Sequence, residues 1–196
     1  MPLRNTPVQW GGAARALHWL MALLIIGTSL FVLHVNDSMP WFKSSPLVFI
    51  TYIHWHKAFG LLALVLVLVR LAWRRSNVVP QTAPLTMFEQ IWSHRAHIAL
   101  YALMLAVPIT GWLASSAFGS GTKVFGLFTV PGIIPKSKPL VAPTYWAHFG
   151  LAWALLALVS VHIIAAFWHH DRRRDNVLMG MWKGRPGTRQ ASMSQD

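Results

Sequence analysis

Cysteine is absent from this chain of 196 residues, and charged side chains are scarce. The lack of cysteine excludes disulfides, zinc ribbons, iron–sulfur clusters and the covalent attachment of c-type haem. Only 11% of the residues are charged and 55% are hydrophobic, whereas a typical soluble domain has about 25% charged residues. These proportions argue against a soluble protein and predict a membrane protein.

Acidic residues are the scarcer charged type, since 5 Asp and Glu stand against 17 Lys and Arg, for a net charge of +12. A nucleic-acid-binding protein places its cations beside a conventional polar surface, but here they border long apolar runs. The composition therefore predicts membrane lipid as a partner and no nucleic acid. Ten histidines are conspicuous, because a neutral imidazole is a metal ligand that can enter hydrocarbon.

Four apolar stretches are long enough to cross a membrane, which takes about 20 residues. They cover residues 16–33, 49–73, 94–118 and 144–168, which we number as spans one to four. No small-residue cleavage site follows span one, so we expect it to be retained rather than removed as a signal peptide. The three connecting segments are predicted to be loops. The sequence thus predicts an all-α fold, in which residues 1–196 form one integral membrane domain with a four-helix bundle.

The cations divide unequally when successive loops are assigned to alternate sides of the membrane. One side receives 12 of them: Arg4, Arg15, Arg70, Arg74, Arg75, Arg95, Arg172, Arg173, Arg174, Lys183, Arg185 and Arg189. The other side receives 5: Lys43, Lys57, Lys123, Lys136 and Lys138. Because cytoplasmic loops carry the excess of Lys and Arg, we expect both termini in the cytoplasm and the first and third loops outside.

Histidines in the spans can be paired by their depth. Span four contains His148 and His162, fourteen residues apart. On a helix they differ by about 40° in direction and about 21 Å in height, so they share one face at two depths. His18 lies near the inner end of span one, and His56 lies near the outer end of span two. Depth alone therefore pairs His18 with His162 and His56 with His148.

Each of these pairs offers two imidazoles and no carboxylate at its depth. Haem suits such a donor set, because the porphyrin supplies the other four nitrogens. We therefore predict two non-covalent b-type haems, each with two histidine ligands. For any single histidine the alternative is a hydrogen bond to a neighbouring helix, since polar residues commonly join membrane helices.

Further candidates share the face of span two that carries His56. Arg70 lies fourteen residues later, where it would neutralise a propionate of the inner haem or else extend to the interface from the helix end. Gly60 and Gly111 would admit a flat macrocycle or simply a neighbouring helix. His97 in span three would hydrogen-bond a propionate or a quinone carbonyl, or would lie at the interface without a role.

The remaining histidines are harder to assign. His54 points about 200° away from His56, so only one of the two can face the bundle interior, and we prefer His56. His94 opens span three at the inner face without a free histidine opposite it. His169 and His170 precede three arginines, and we expect them to belong to a solvated basic end.

Taken in order, these motifs resemble the bacterial cytochrome b561 family of four-helix, di-haem membrane proteins. The matching pieces are Leu17-His18-Trp19, His56 to Gly60, Val67 to Leu71, His97 through Tyr101 to Pro108, Gly111-Trp112, Phe125 to Phe128, His148, His162, His169-His170 and Asp175 to Leu178. They extend over nearly the whole chain. One departure is Phe149, which stands where many members carry a glutamate.

The resemblance implies that His18, His56, His148 and His162 are the haem ligands, as the depth argument also predicts. It implies electron transfer in the bacterial inner membrane, with superoxide oxidised outside and ubiquinone as the acceptor. The outer lysines would attract such a small anion, or would only contact lipid headgroups.

Two other functions stay open on the sequence. One is a di-haem anchor that relays electrons between a periplasmic or other partner protein and the quinone pool. The other is a small transporter with a histidine proton relay, although the spans lack the acidic residues typical of such relays.

Overall fold

The structure is a computed structural model that describes residues 2–38, 46–80 and 83–184, with the side chains of 34–38 and 46–49 left out. Three of the cations used to predict the orientation, Lys43, Arg185 and Arg189, lie outside the described residues. The orientation of the termini therefore stays a prediction.

Four long helices account for most of the described chain. They are α1 (Gly12–Ser38), α2 (Pro46–Arg75), α3 (Met87–Phe118) and α4 (Lys138–Trp168). All four are long and apolar enough to cross a membrane, so the predicted all-α membrane fold is confirmed. Each helix extends beyond its predicted span at one end or both, because helical hydrogen bonds continue into the polar interface, where hydropathy gives no signal.

Local sequence explains two of the helix starts. Pro46 is the first residue of α2, a position where its missing N–H costs no helical hydrogen bond. Thr86 and Glu89 form a capping box before α3: the Thr86 backbone N–H donates to Glu89 Oε2 over 2.7 Å, and the Glu89 N–H donates to Thr86 Oγ1 over 3.3 Å. The box stabilises this end because it satisfies N–H groups that lack helical partners.

A β-hairpin follows α3, within residues that were predicted to be loop throughout. Strands β1 (Thr122–Val124) and β2 (Phe128–Val130) pair antiparallel, with Lys123 opposite Thr129. The loop prediction for residues 119–143 is therefore wrong in part. The strands are three residues each, too short to show an alternating pattern that sequence inspection could detect.

The described residues divide into two compact units. Unit 1 comprises those within 1–20, 68–101 and 156–196, and unit 2 comprises those within 21–67 and 102–155. Each unit therefore contains a segment of every long helix.

Several small side chains are buried between helices, and many large apolar side chains face outward. Ala58, Ala117 and Ser116 are almost fully buried in unit 2, as expected where membrane helices approach closely. By contrast, Leu23 and Ile164 are 73% and 67% exposed. Such outward leucine and isoleucine side chains suit contact with lipid tails, which are as apolar as they are.

In unit 1, the chain after α4 folds back onto α1. A π-helix (His169–Arg173) leads to the short helix α5 (Val177–Lys183). Arg15 donates from Nε to the Met181 carbonyl and from Nη2 to the Trp182 carbonyl, over 3.2 and 2.6 Å. Trp19 Nε1 donates to the same Met181 carbonyl over 3.0 Å. These bonds satisfy carbonyls at the end of α5, which have no helical partner.

Candidate metal centres

Two pairs of imidazoles face each other, one in each unit. Site 1, in unit 1, is His18 of α1 and His162 of α4, whose ring centres are 6.2 Å apart. Site 2, in unit 2, is His56 of α2 and His148 of α4, whose ring centres are 6.1 Å apart. These are the pairs that depth along the helices predicted.

The spacing of both pairs fits a metal ion held between two imidazoles. With metal–nitrogen bonds of about 2 Å, two imidazoles on opposite sides of one ion have ring centres about 6 Å apart. Among the side chains that the structure describes, no group of three or more His, Cys, Asp or Glu is arranged to hold a metal. A porphyrin would supply four further nitrogens to an ion held by two imidazoles.

In site 2, the orientation of His148 is fixed by α3. His148 Nδ1 lies 2.9 Å from the Val107 carbonyl oxygen, which can only accept, so Nδ1 carries the proton and Nε2 is left for a metal. A Cβ atom built on Gly111 would lie 3.0 Å from Cε1 of this ring. The helix backbone thus packs against the imidazole, and only glycine leaves room for that contact.

The other side of site 2 has features that a flat cofactor would complete. His56 Nδ1 is buried without a hydrogen-bond partner among the described residues, which is uncommon and indicates an incomplete site. A Cβ atom built on Gly60, one turn later, would meet no described atom within 4 Å. The residues present at site 2 therefore fit a bound macrocycle.

An aromatic cluster adjoins His56 in the chain and is completed by the hairpin. Phe125 packs against Trp55 and Phe59, with ring centres 5.7 and 5.4 Å away. It occupies the tight turn, at a φ of 49° that is rare for a bulky residue, and Gly126 follows at 79°. Such a φ costs of order 1–3 kcal/mol, which contacts elsewhere in the structure must offset. The turn thereby holds an aromatic ring beside the residues that flank His56.

Site 1 has a cation beside its first histidine. Arg70 donates from Nη2 to His18 Nδ1 over 3.0 Å and from Nε to the Tyr101 hydroxyl over 3.1 Å. A neutral His18 that binds a metal through Nε2 must carry its proton on Nδ1, so Arg70 would then have to turn to another acceptor. A haem propionate is such an acceptor, and the residues at site 1 fit the cofactor on that condition.

His97 is a third imidazole at site 1. Its ring centre lies 5.6 Å from that of His162. His97 Nδ1 donates to the Ser93 carbonyl over 2.6 Å, which leaves Nε2 as an acceptor. His97 therefore contacts His162 at site 1, and its Nε2 can accept a hydrogen bond.

A cleft of about 330 Å³ adjoins these residues in unit 1. We call it the α2–α3 cleft because most of its lining residues belong to these two helices. They are Leu71, Arg74, Arg75, Val79, His94, His97, Ile98 and Tyr101. His94, left unassigned on the sequence, is an exposed residue of this lining.

Three of the other histidines differ in their surroundings. His169 was expected in a solvated basic end, but that expectation is wrong: its side chain is 14% exposed, and its Nδ1 lies 2.6 Å from Asp175 Oδ2. Its neighbour His170 is exposed, as expected. His54 makes no pair, and its Nδ1 is buried without a hydrogen-bond partner.

Several polar contacts in unit 1 were not predicted from the sequence. Tyr101 and Asp175 were noted only as parts of the family motifs, and the ion pair of Glu89 with Arg173, 2.6 Å long, was not predicted at all. The Thr86-to-Glu89 spacing was a detectable capping-box signal. The pairing of Glu89 with Arg173, which are 84 residues apart, leaves no signal in a single sequence.

Four apolar helices with facing imidazole pairs define a helical membrane cytochrome as the class of protein. Residues 9–184 match the family model described as prokaryotic cytochrome b561. The chain therefore belongs to the prokaryotic cytochrome b561 family, and the resemblance noted in its motifs is confirmed.

Named relatives match over most of their length. Cytochrome b561 homolog 2 of Escherichia coli (strain K12) is 29% identical over 187 residues, which are 92% of this chain and 95% of the relative. Probable superoxide oxidase CybB of Yersinia pestis is 28% identical over 181 residues, 87% of this chain and 94% of the relative. Cytochrome b561 homolog 1 of E. coli (strain K12) is 26% identical over 173 residues, 84% of this chain and 92% of the relative.

Family membership fixes the general function. The chain is a multi-pass membrane protein that binds b-type haem and transfers electrons as an oxidoreductase in a lipid environment.

Proposed function

We propose that the chain binds two b-type haems, one at site 1 and one at site 2, and transfers electrons from superoxide to ubiquinone in the bacterial inner membrane. The observation that carries this proposal is the pair of facing imidazoles in each unit, with ring centres 6.2 and 6.1 Å apart. The name of the Yersinia pestis relative, probable superoxide oxidase, supports superoxide as the donor.

When bound, the haem iron supplies a centre that changes its charge by one electron. The chain's own residues orient and tune that centre. Val107 accepts the hydrogen bond from His148 Nδ1, and Gly111 packs against the ring, so that Nε2 remains available to bind a metal. Arg70 would provide the positive charge that pairs with a haem propionate at site 1. Among the described side chains, its hydrogen-bond partners are Tyr101 and His18, and no carboxylate lies within hydrogen-bond distance of it.

The electron and proton balance of this reaction is simple. Two superoxide anions lose one electron each and leave as dioxygen. One ubiquinone gains both electrons together with two protons and leaves as ubiquinol. In the topology with both termini cytoplasmic, His56 and His148 would hold the haem that accepts electrons from the outer side. His18 and His162 would hold the haem that supplies electrons to the quinone.

Charge favours the entry of an anion at unit 2. Lys123, Lys136 and Lys138 are exposed there, and the described side chains of that unit include no Asp or Glu. A positive surface raises the local concentration of a small anion and its association rate. The three lysines therefore support superoxide as the donor.

The alternative function is a relay between a partner protein and the quinone pool. The hairpin favours it, because Leu127 and Phe128 are 80% and 57% exposed at its tip. Such apolar side chains suit contact with a protein partner.

Turnover by the purified, haem-loaded chain separates the two functions. With enzymatically generated superoxide and a short-chain ubiquinone, we expect one ubiquinol for every two superoxide anions, measured against a reaction without the protein. His148→Ala serves as the matched inactive chain. Electron transfer that starts only when a dehydrogenase or periplasmic protein is added would contradict superoxide as the direct donor and support the relay.

A further inference from the structure

The α2–α3 cleft contains cations without matching anions. Arg74 and Arg75 line it, together with His94, and Arg74 lies 5.8 Å from the centre of the Tyr101 ring. None of its eight lining residues is Asp or Glu. The cleft therefore presents two guanidinium groups that lack a carboxylate from its own walls.

The described carboxylates are engaged elsewhere. Glu89 pairs with Arg173, and Asp175 pairs with His169, each over 2.6 Å. Asp171 lies 3.9 Å from Arg172, where both side chains are largely exposed. Since these are the only three acidic side chains that the structure describes, an anion for the cleft has to come from outside the described chain.

The apolar walls of the cleft indicate what kind of anion this is. Ile98 and Val79 are 56% and 49% exposed, and Leu71 and Ile98 belong to helices that cross the membrane. A soluble anion gains nothing from such walls. An anionic phospholipid can place its phosphate between the guanidinium groups and its acyl chains along the apolar side chains, because basic pockets between membrane helices suit such headgroups.

We propose that the α2–α3 cleft binds the phosphate headgroup of an anionic membrane phospholipid through Arg74 and Arg75. Arginine suits this role because its planar guanidinium can donate two parallel hydrogen bonds to phosphate oxygens. The bound phosphate would lie beside His97, which contacts His162 of site 1, and beside Tyr101, which accepts a hydrogen bond from Arg70. A lipid in this cleft would therefore change the electrostatic environment of that site.

Native mass spectrometry of the haem-loaded protein tests the proposal, since it counts haems and lipids on the same molecule. The probes are phosphatidylglycerol and phosphatidylcholine, added to the protein in detergent. We expect bound phosphatidylglycerol in clear excess over phosphatidylcholine. The double variant Arg74→Gln, Arg75→Gln should lower the affinity for phosphatidylglycerol about 25-fold, since each cation near the headgroup contributes about fivefold.

A charge-matched variant controls for general attraction by a basic protein. Arg95→Gln, Arg172→Gln removes two arginines that do not line the cleft, and it should bind phosphatidylglycerol as the unaltered protein does. Arg75→Gln alone covers the case in which the double variant does not fold, because Arg75 is exposed. It should lower the affinity about fivefold.

Three results would overturn the proposal. Equal losses of lipid in both double variants would mean attraction by net charge alone. Loss of haem without loss of lipid in Arg74→Gln, Arg75→Gln would assign the cleft to a haem propionate. Displacement of phosphatidylglycerol by an equal concentration of inorganic phosphate would identify a site for free phosphate.

Discussion

Site 1 and site 2 hold their imidazoles at nearly the same spacing, 6.2 and 6.1 Å, but the groups around them differ. In site 1, a charged arginine donates to the ring of His18. In site 2, the ring of His148 donates to a backbone carbonyl and packs against a glycine. The spacing of each pair fits a metal ion held between two imidazoles. The groups around each pair would set the redox potential of the haem bound there. The two sites are therefore expected to have different redox properties despite having the same ligand type.

Removing a ligand should have the largest effect on this comparison. His56→Ala or His148→Ala should remove the haem of site 2 and leave site 1 loaded, whereas His18→Ala or His162→Ala should do the reverse. Each change leaves a single imidazole at the site to hold the haem, and without haem that imidazole is buried and unpaired. The pyridine haemochrome assay should fall from two haems per chain to one.

Spectra of the single-haem variants identify which haem is missing. The two variants of one site should share one reduced spectrum. If His18→Ala and His148→Ala lost the same haem, the pairing would be wrong.

Glycine substitutions should affect site 2 next most strongly. Gly111→Ala places a methyl group 3.0 Å from the His148 ring, which requires a shift that costs about 1–3 kcal/mol. Haem should therefore be lost from site 2 at lower temperatures than in the unaltered protein. Gly60→Ala meets no protein atom within 4 Å, so we expect it to lower haem retention without destabilising the haem-free chain.

Gly150→Ala is the control, because its Cβ atom also meets nothing within 4 Å and it follows His148 on the same helix. It should leave haem retention unchanged. Thermal haem-release curves that are identical for all three glycine variants would rule out a macrocycle beside Gly60 and a haem held by the His148 ring that packs on Gly111.

Arg70→Gln should sharpen the contrast between the sites by changing only site 1. A nearby positive charge disfavours oxidised iron and therefore raises the midpoint potential. Loss of the guanidinium group should lower the midpoint potential of site 1 by about 50–100 mV, because it removes one positive charge whose interaction with the iron is partly screened. Site 2 should keep its potential, as should both sites in Arg95→Gln. A redox titration showing that both potentials fall equally would contradict a local role for Arg70.

The three exposed lysines of unit 2 should give the smallest effect. Changing Lys123, Lys136 and Lys138 to Gln should lower the stopped-flow rate of superoxide with site 2 severalfold and leave the haem content unchanged, because charge steers association. The rate in the unaltered protein should fall with salt, since the Debye length shrinks from about 10 Å at 0.1 M to about 3 Å at 1 M. Neutralising Arg95, Arg172 and Lys183 in unit 1 controls for net charge. A rate that changes neither with salt nor with the lysine substitutions would favour a neutral donor or a protein donor.

Much of the fold and the pairing of the four histidines could be predicted, because both depend on regularities within single helices. Long apolar runs mark the four helices, and a fourteen-residue interval fixes the shared face of His148 and His162. His56 was preferred over His54 because Gly60 and Arg70 share its face, and it is His56 that faces His148.

The contacts that define each site's surroundings could not be predicted in this way. The bond from His148 to Val107 and the bond from Arg70 to His18 join different helices, and no local pattern encodes them. His169 was placed in solvent because it precedes arginines, but Asp175 lies six residues later and binds it. A charge run predicts exposure only on average, and one nearby carboxylate is enough to change the outcome.

We propose that each of the two units holds one b-type haem between two histidines. The absorption spectrum of the purified, dithionite-reduced protein, together with its pyridine haemochrome count, tests this proposal. We expect a low-spin b-type spectrum, because two histidine nitrogens would bind each iron, and two haems per chain. A folded chain with one haem, or with a high-spin spectrum that shows an open coordination position, would contradict it.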